Sequence, residues 1–283
     1  MEKLPLPLVR IDDFYDDMIS GMTRKKEVDG EKILYKDIYK GIKPILLEGE
    51  KLYSDSGERM SFHELDEEAL LRNIDTSDME YLYSEKFLKK AKVRYDQIKS
   101  LPKNGKCPYC GERLVEELDH FLPKSKYPIF SVTPYNLVPS CHKCNHNKRE
   151  SAVKFASKVI INPYFDDLNK EQWLFCDIYK DKDDNIYPDY FVSPDKSLSE
   201  VQKERIRYHF ELLNLKEYYE ISANEVIYLY SDGWKEIFRL SGKEGLITEL
   251  KKSEAVYTAK KEYINSFQRA LYQGLATYIE NER

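Results

Sequence analysis

Apolar residues recur at helical spacing through much of the first hundred positions. The clearest run is "SEKFLKKAKVRYDQIKSL", where Phe87, Ala91, Tyr95 and Ile98 fall on one face. "LPKNGK" then breaks the pattern, with Pro102, Asn104 and Gly105 marking a loop. "RLVEELDHF" reads as a short strand ended by Pro123, and "FSVTPYNLV" as a second extended piece. "CHKCNHNKRESAVKFASKVI" has no Gly or Pro and predicts a helix starting near its cysteines. Two aromatic and β-branched runs, Trp173–Tyr179 and Tyr187–Val192, flank the polar "KDKDDN" and predict a β-hairpin. From Ser197 the chain reads as helical again, with Val256, Ala259, Tyr263, Phe267, Ala270, Gln273 or Gly274, and Tyr278 following one face. The expected class is mainly α with a small α+β centre. It divides into a helical region 1–100, a central segment 101–160, and a hairpin plus helical region 161–283.

Composition supports a folded chain, since 41% of the 283 residues are apolar and 13% aromatic. With 34% charged residues and no long uncharged apolar run, a soluble protein without a membrane span is expected. "MEKLPLPLVRIDDFYDDM" has neither the basic and apolar regions of a secretion signal nor the character of a transit peptide, so a cytoplasmic location is expected. The net charge of -5 hides an asymmetry. Leu101–Ile160 carries ten basic and five acidic side chains, giving +5 there and leaving -10 for the remainder. Attraction for phosphate is therefore concentrated in the centre.

That centre also holds four of the five cysteines. Cys107 and Cys110, then Cys141 and Cys144, form two Cys-x2-Cys pairs. In a chain with no secretion signal, such pairs predict a metal thiolate site and not a disulfide framework. Four thiolates around one tetrahedral Zn²⁺ leave no open position, so this zinc would be structural, clipping a segment too short to bury a core of its own. Cys176, beside Trp173 and Phe175, reads as core.

The motifs Cys-x2-Cys, Leu-Asp-His, Tyr-Asn-Leu-Val and Cys-x2-Cys-Asn-x2-Lys together resemble the HNH endonucleases, whose catalytic unit is the ββα-metal fold. The resemblance covers about Cys107–Lys154. It implies that His120 is the general base, that Asp119 and Asn145 bind a catalytic Mg²⁺ or Mn²⁺, and that Asn136 holds the loop and orients the histidine. The third letter of the motif is Asn145 here, where many members carry His. The assignments suit hydrolysis of a phosphodiester, which needs a base near neutral pKa and a cation held by hard oxygen ligands. Adjacent strand residues point to opposite faces, so Asp119 and His120 share a site only where the strand ends or bends.

Lys124, Lys126, Lys148 and Arg149 lie close enough in sequence to contact phosphates. His142 and His146 read as exposed helix positions, His63 as a surface or capping residue, and His209 as a satisfied core histidine. The acidic "IDDFYDD" reads as a solvated face. The wider pattern, "LDHFLPKSKYPIFSVTPYNLVPSCHKCNHNK" with "NPYFDD", "EQWLF" and "RIRYHF", resembles the HNH component of Septu-type antiphage systems and related retron operons. That resemblance implies a bacterial nuclease acting on DNA, with RNA left open, beside an ATPase partner. The chain contains no Walker-type loop of its own. The other readings are a restriction-type HNH nuclease that recognises a sequence, and a non-catalytic, zinc-stapled binding or adaptor module.

Overall fold

The computed structural model describes residues 3–28, 30–66, 74–149, 153–168, 170–183, 185–260 and 263–282. These are mainly helical, with small antiparallel strand pairs, and they form two compact units. One unit holds Leu4–Pro108 and Glu112–Asp166; the other holds residues from Asp167 onward with Tyr109–Gly111. No helix among the described residues is long and apolar enough to cross a membrane.

The first unit begins with α1 (Tyr15–Ser20), the pair β1 (Lys25–Val28) and β2 (Glu31–Leu34), and α2 (Tyr35–Glu58). The strand pair departs from the expected helical start of the chain. Gly30, at φ 84, takes the left-handed conformation that a tight hairpin turn needs. The helical run expected around Phe87 to Ile98 is also divided. Helix α3 (Thr76–Tyr81), capped by the Asp75 carboxylate on Ser77 N–H, passes into a π-helical turn (Leu82–Phe87). A break at Ala91 (φ -104, ψ 29) then precedes α4 (Lys92–Lys99). Phe87, Ala91 and Ile98 are nonetheless buried, so the periodic face is real although the helix is not continuous.

Helix α2 supplies the platform for the centre. Tyr53 packs on Phe62 and Phe130 with ring centroids 4.9 and 5.2 Å apart, and Phe62 packs on Phe121 at 5.3 Å. Strand β3 (Glu117–His120) pairs antiparallel with β4 (Leu137–Ser140), Asp119 opposite Val138 and His120 opposite Leu137. Helix α5 (His142–Lys148) follows directly, with Cys141 as its N-cap residue. It is much shorter than the expected helix, because Arg149 sits at φ 53, ψ -169, where a right-handed helix cannot continue.

In the second unit, β5 (Leu174–Lys180) and β6 (Ile186–Val192) form the expected hairpin in continuous register. Helix α6 (Glu200–Leu212) starts with a capping box of Ser199 and Gln202. Helix α7 (Leu215–Thr258) is broken at Gly242, whose φ of 69 no side-chain-bearing residue adopts readily. Helix α8 (Phe267–Asn281) lies against β5, and Gly274 permits that approach, since a methyl group there would overlap the Cys176 carbonyl oxygen. The single apolar face expected from Val256 to Tyr278 is therefore split. Ser266 caps a new helix through Arg269 N–H, and Val256 is exposed while Phe267, Ala270 and Gly274 are buried.

Candidate active site

The four paired cysteines converge. All are buried, and their Sγ atoms lie within 4.8 Å of one another. A tetrahedral zinc with Zn–S near 2.3 Å places sulfurs about 3.8 Å apart, so the cluster fits a zinc ion. Local turns serve this geometry. Gly111, at φ 75, follows the first pair, and Cys107 N–H donates to Arg113 O at 2.7 Å. At the second pair, Cys144 N–H points to Cys141 Sγ at 3.4 Å. In the second unit, Tyr109 O accepts from His209 Nε2 at 2.8 Å and Cys110 O accepts from the Tyr219 hydroxyl at 2.8 Å. His209 is thus a satisfied core histidine, and burial pushes its pKa down to about 4.

Beside the cluster, one cleft of about 670 Å³ is lined by Asp119, His120, Asn145, Lys124, Lys148 and Arg149, with Glu117, Tyr83, His142 and His146 at its walls. Lys126 is exposed and is not among the lining residues. His120 Nε2 lies 2.9 Å from Ser131 O. A carbonyl only accepts, so Nε2 carries the proton and Nδ1 keeps a free lone pair. Burial holds the His120 pKa down, to about 3, with Lys124 and Lys148 acting in the same sense. The imidazole is therefore neutral across the physiological range.

Asn136 is fully buried in the loop between the strands. Its Oδ1 accepts from Leu122 N–H at 2.7 Å, and its Nδ2 donates to Leu122 O at 3.0 Å and Phe130 O at 3.1 Å. Ser131, whose carbonyl holds His120, is the next residue after Phe130. Asp119 is 3% exposed and faces Lys148, whose Nζ lies 3.2 Å from its Oδ1. The same ammonium donates to His120 O at 2.7 Å and Phe121 O at 3.2 Å. Lys148 is buried among these acceptors, whereas Lys124 and Arg149 reach the cleft from its edge. Asn145 Nδ2 donates to Glu117 Oε1 at 2.9 Å. His142 and His146 are exposed, as expected of that helix face.

Two lining residues are not among those the sequence motifs single out. Glu117 stands two positions before Asp119 on a strand, so the period of two could have found it. Tyr83 makes an edge contact with the His120 ring at 4.4 Å and lies under Lys124 Nζ at 5.2 Å, yet it arrives from the distant π-helical turn with no local signal. Turns of this kind recur at functional sites.

No family model matches the chain, and no solved structure matches it. Protein ea31 of Escherichia phage lambda is 29% identical over 303 aligned positions, covering 98% of this chain and 97% of that protein. The Septu protein PtuB of Bacillus thuringiensis is 41% identical over 85 residues, 28% of this chain and 32% of that protein. The chain is thus similar to a phage protein along its whole length and to a Septu protein over a restricted segment.

Proposed function

We propose that the chain is a metal-dependent HNH-type endonuclease with a ββα-metal centre, hydrolysing phosphodiester bonds of DNA. The observation that carries this reading is the common cleft of Asp119, His120 and Asn145, built from a strand end and a short helix beside the cysteine cluster. Hard oxygen donors from Asp119 and Asn145 suit Mg²⁺ or Mn²⁺, which when bound neutralises charge on the phosphate and the leaving oxygen. Neutral His120, with Nε2–H held by Ser131 O, offers Nδ1 to take a proton from the attacking water. A phosphodiester anion in the cleft raises the imidazole's affinity for that proton, because the imidazolium is favoured beside negative charge. Asn136 keeps the Ser131 segment in place, and Lys124 and Arg149 at the cleft edge meet the nucleic-acid backbone.

The likeness to a Septu protein supports a role in antiphage defence, and the motif resemblance implies an ATPase on another chain that supplies nucleotide control. The test is plasmid nicking in Mg²⁺ or Mn²⁺ by the native chain and by His120→Ala, both shown to retain zinc, alone and with the candidate ATPase. Cation-dependent cleavage lost in the variant is expected; cleavage unaffected by the substitution would overturn the assignment.

A further inference from the structure

The cation site of the proposed nuclease needs Asn145 to present its oxygen, and an amide can face either way. Asn145 Nδ2 donates to Glu117 Oε1 at 2.9 Å. A carboxylate has no proton to give, so this pairing exists in one sense only. With Nδ2 bound to Glu117, Oδ1 is turned to the other side. Glu117 is itself held from the helix, since His142 Nδ1 lies 3.3 Å from the same oxygen. The neighbouring Glu116 accepts His142 N–H at 2.8 Å, so two consecutive carboxylates at the start of β3 clamp the first turn of α5. Glu117 and Asp119 share a strand face and line one cleft with Asn145.

From this we infer that Glu117 is a positioning residue that sets the polarity of the Asn145 amide and so completes the cation site. The inference rests on the reading of Asn145 as a cation ligand. Replacing Glu117 by Gln keeps the shape but introduces a donor that can pair with Asn145 Oδ1 and reverse the amide.

The test measures Mn²⁺ binding to the zinc-loaded chain by electron paramagnetic resonance, a readout independent of cleavage. Glu117→Gln is expected to weaken Mn²⁺ binding by about 10–100-fold, the usual cost of losing a partner that orients a ligand. Glu117→Asp, whose group still only accepts, should stay far closer to native, and Glu117→Gln combined with Asn145→Ala should bind no more weakly than Asn145→Ala alone. Equal losses in Glu117→Gln and Glu117→Asp, or a further loss in the double variant, would overturn the positioning role. Native affinity in Glu117→Gln alongside a loss in Asn145→Ala would overturn it while leaving the cation site standing. A native chain that binds no Mn²⁺, or an Asn145→Ala chain that binds it normally, would remove both.

Discussion

Asn136→Ala is the most direct test of how the loop behind the cleft is held. The side chain is fully buried, as are Leu122 and Phe130. Its removal strips this partner from Leu122 N–H and Leu122 O, while Phe130 O loses one bond and keeps that from Thr133 N–H. Each buried group left unsatisfied costs about 1–3 kcal/mol. For these two groups the loss is about 2–6 kcal/mol, a large share of the roughly 5–15 kcal/mol that a typical domain possesses. Asn136→Asp is nearly isosteric and keeps the acceptor for Leu122 N–H, but it turns an acceptor toward two carbonyls, so it should be destabilised as well. Urea unfolding followed by circular dichroism, with zinc release recorded in parallel because the cysteines belong to the same segment, measures the effect. In the nuclease assay kcat should fall more than KM rises, since the Ser131 carbonyl that fixes the His120 tautomer follows directly on Phe130. A stability loss below about 1 kcal/mol would show that water or backbone shifts replace all three bonds, and would refute desolvation as the dominant cost.

Cys110→Ser should abolish stoichiometric zinc retention and with it the α5 alignment, which elemental analysis and Mn²⁺ binding together would report. Lys148→Met removes the ammonium that faces the buried Asp119 carboxylate and should cost about 3–5 kcal/mol; added Mn²⁺ should restore more stability to this variant than to the native chain, and equal gains would separate Asp119 from the cation. His209, whose folded pKa of about 4 lies below its ordinary 6.5, binds its proton more readily when unfolded, so stability falls as pH drops from about 6.5 toward 4. The cost is about 2.5 kcal/mol by pH 4.5, and a His209→Gln chain, still able to donate to Tyr109 O, should lose that part of the slope in urea titrations; an unchanged slope would refute it. Gly274→Ala drives a methyl group into the Cys176 carbonyl and should lower the thermal midpoint, whereas the same exchange at exposed Gly233 should not.

Features set by local pattern are legible in the amino-acid sequence. The cysteine pairs declare themselves by spacing, the β5–β6 hairpin by aromatic runs around a polar turn, and His209 by its place on an amphipathic helix. Features decided by backbone conformation or by distant contacts are not. The stop at Arg149 and the break at Gly242 depend on positive φ inside sequences that read as helix. Lys148 looks like any surface lysine in a basic stretch. Its burial follows from the helix ending there, beside carbonyls presented by a strand 28 residues earlier. Glu117 lies within reach of a period-two pattern, while Tyr83 depends wholly on how the π-helical turn packs.

A strand of four residues paired with another of four, followed by a helix of seven, is too little to be stable alone. Three anchors compensate, and each grips a different side of the same point in the chain. The cysteine cluster ties the start of α5 to the knuckle before β3. Asn136 binds the residues that follow β3, and Lys148 binds the last residues of the strand from the far end of α5. The Lys148 ammonium has three protons and three acceptors, Asp119 Oδ1 and the carbonyls of His120 and Phe121, so its role is to staple helix to strand. This also resolves the conflict between strand alternation and a shared site. Alternation would send Asp119 and His120 to opposite faces, but the regular pairing stops just beyond His120: Phe121 N–H still meets Asn136 O in register, whereas Leu122 N–H goes to the Asn136 side chain. At this strand end His120 is held by Ser131 O and the edge of Tyr83, and both side chains line the same cleft.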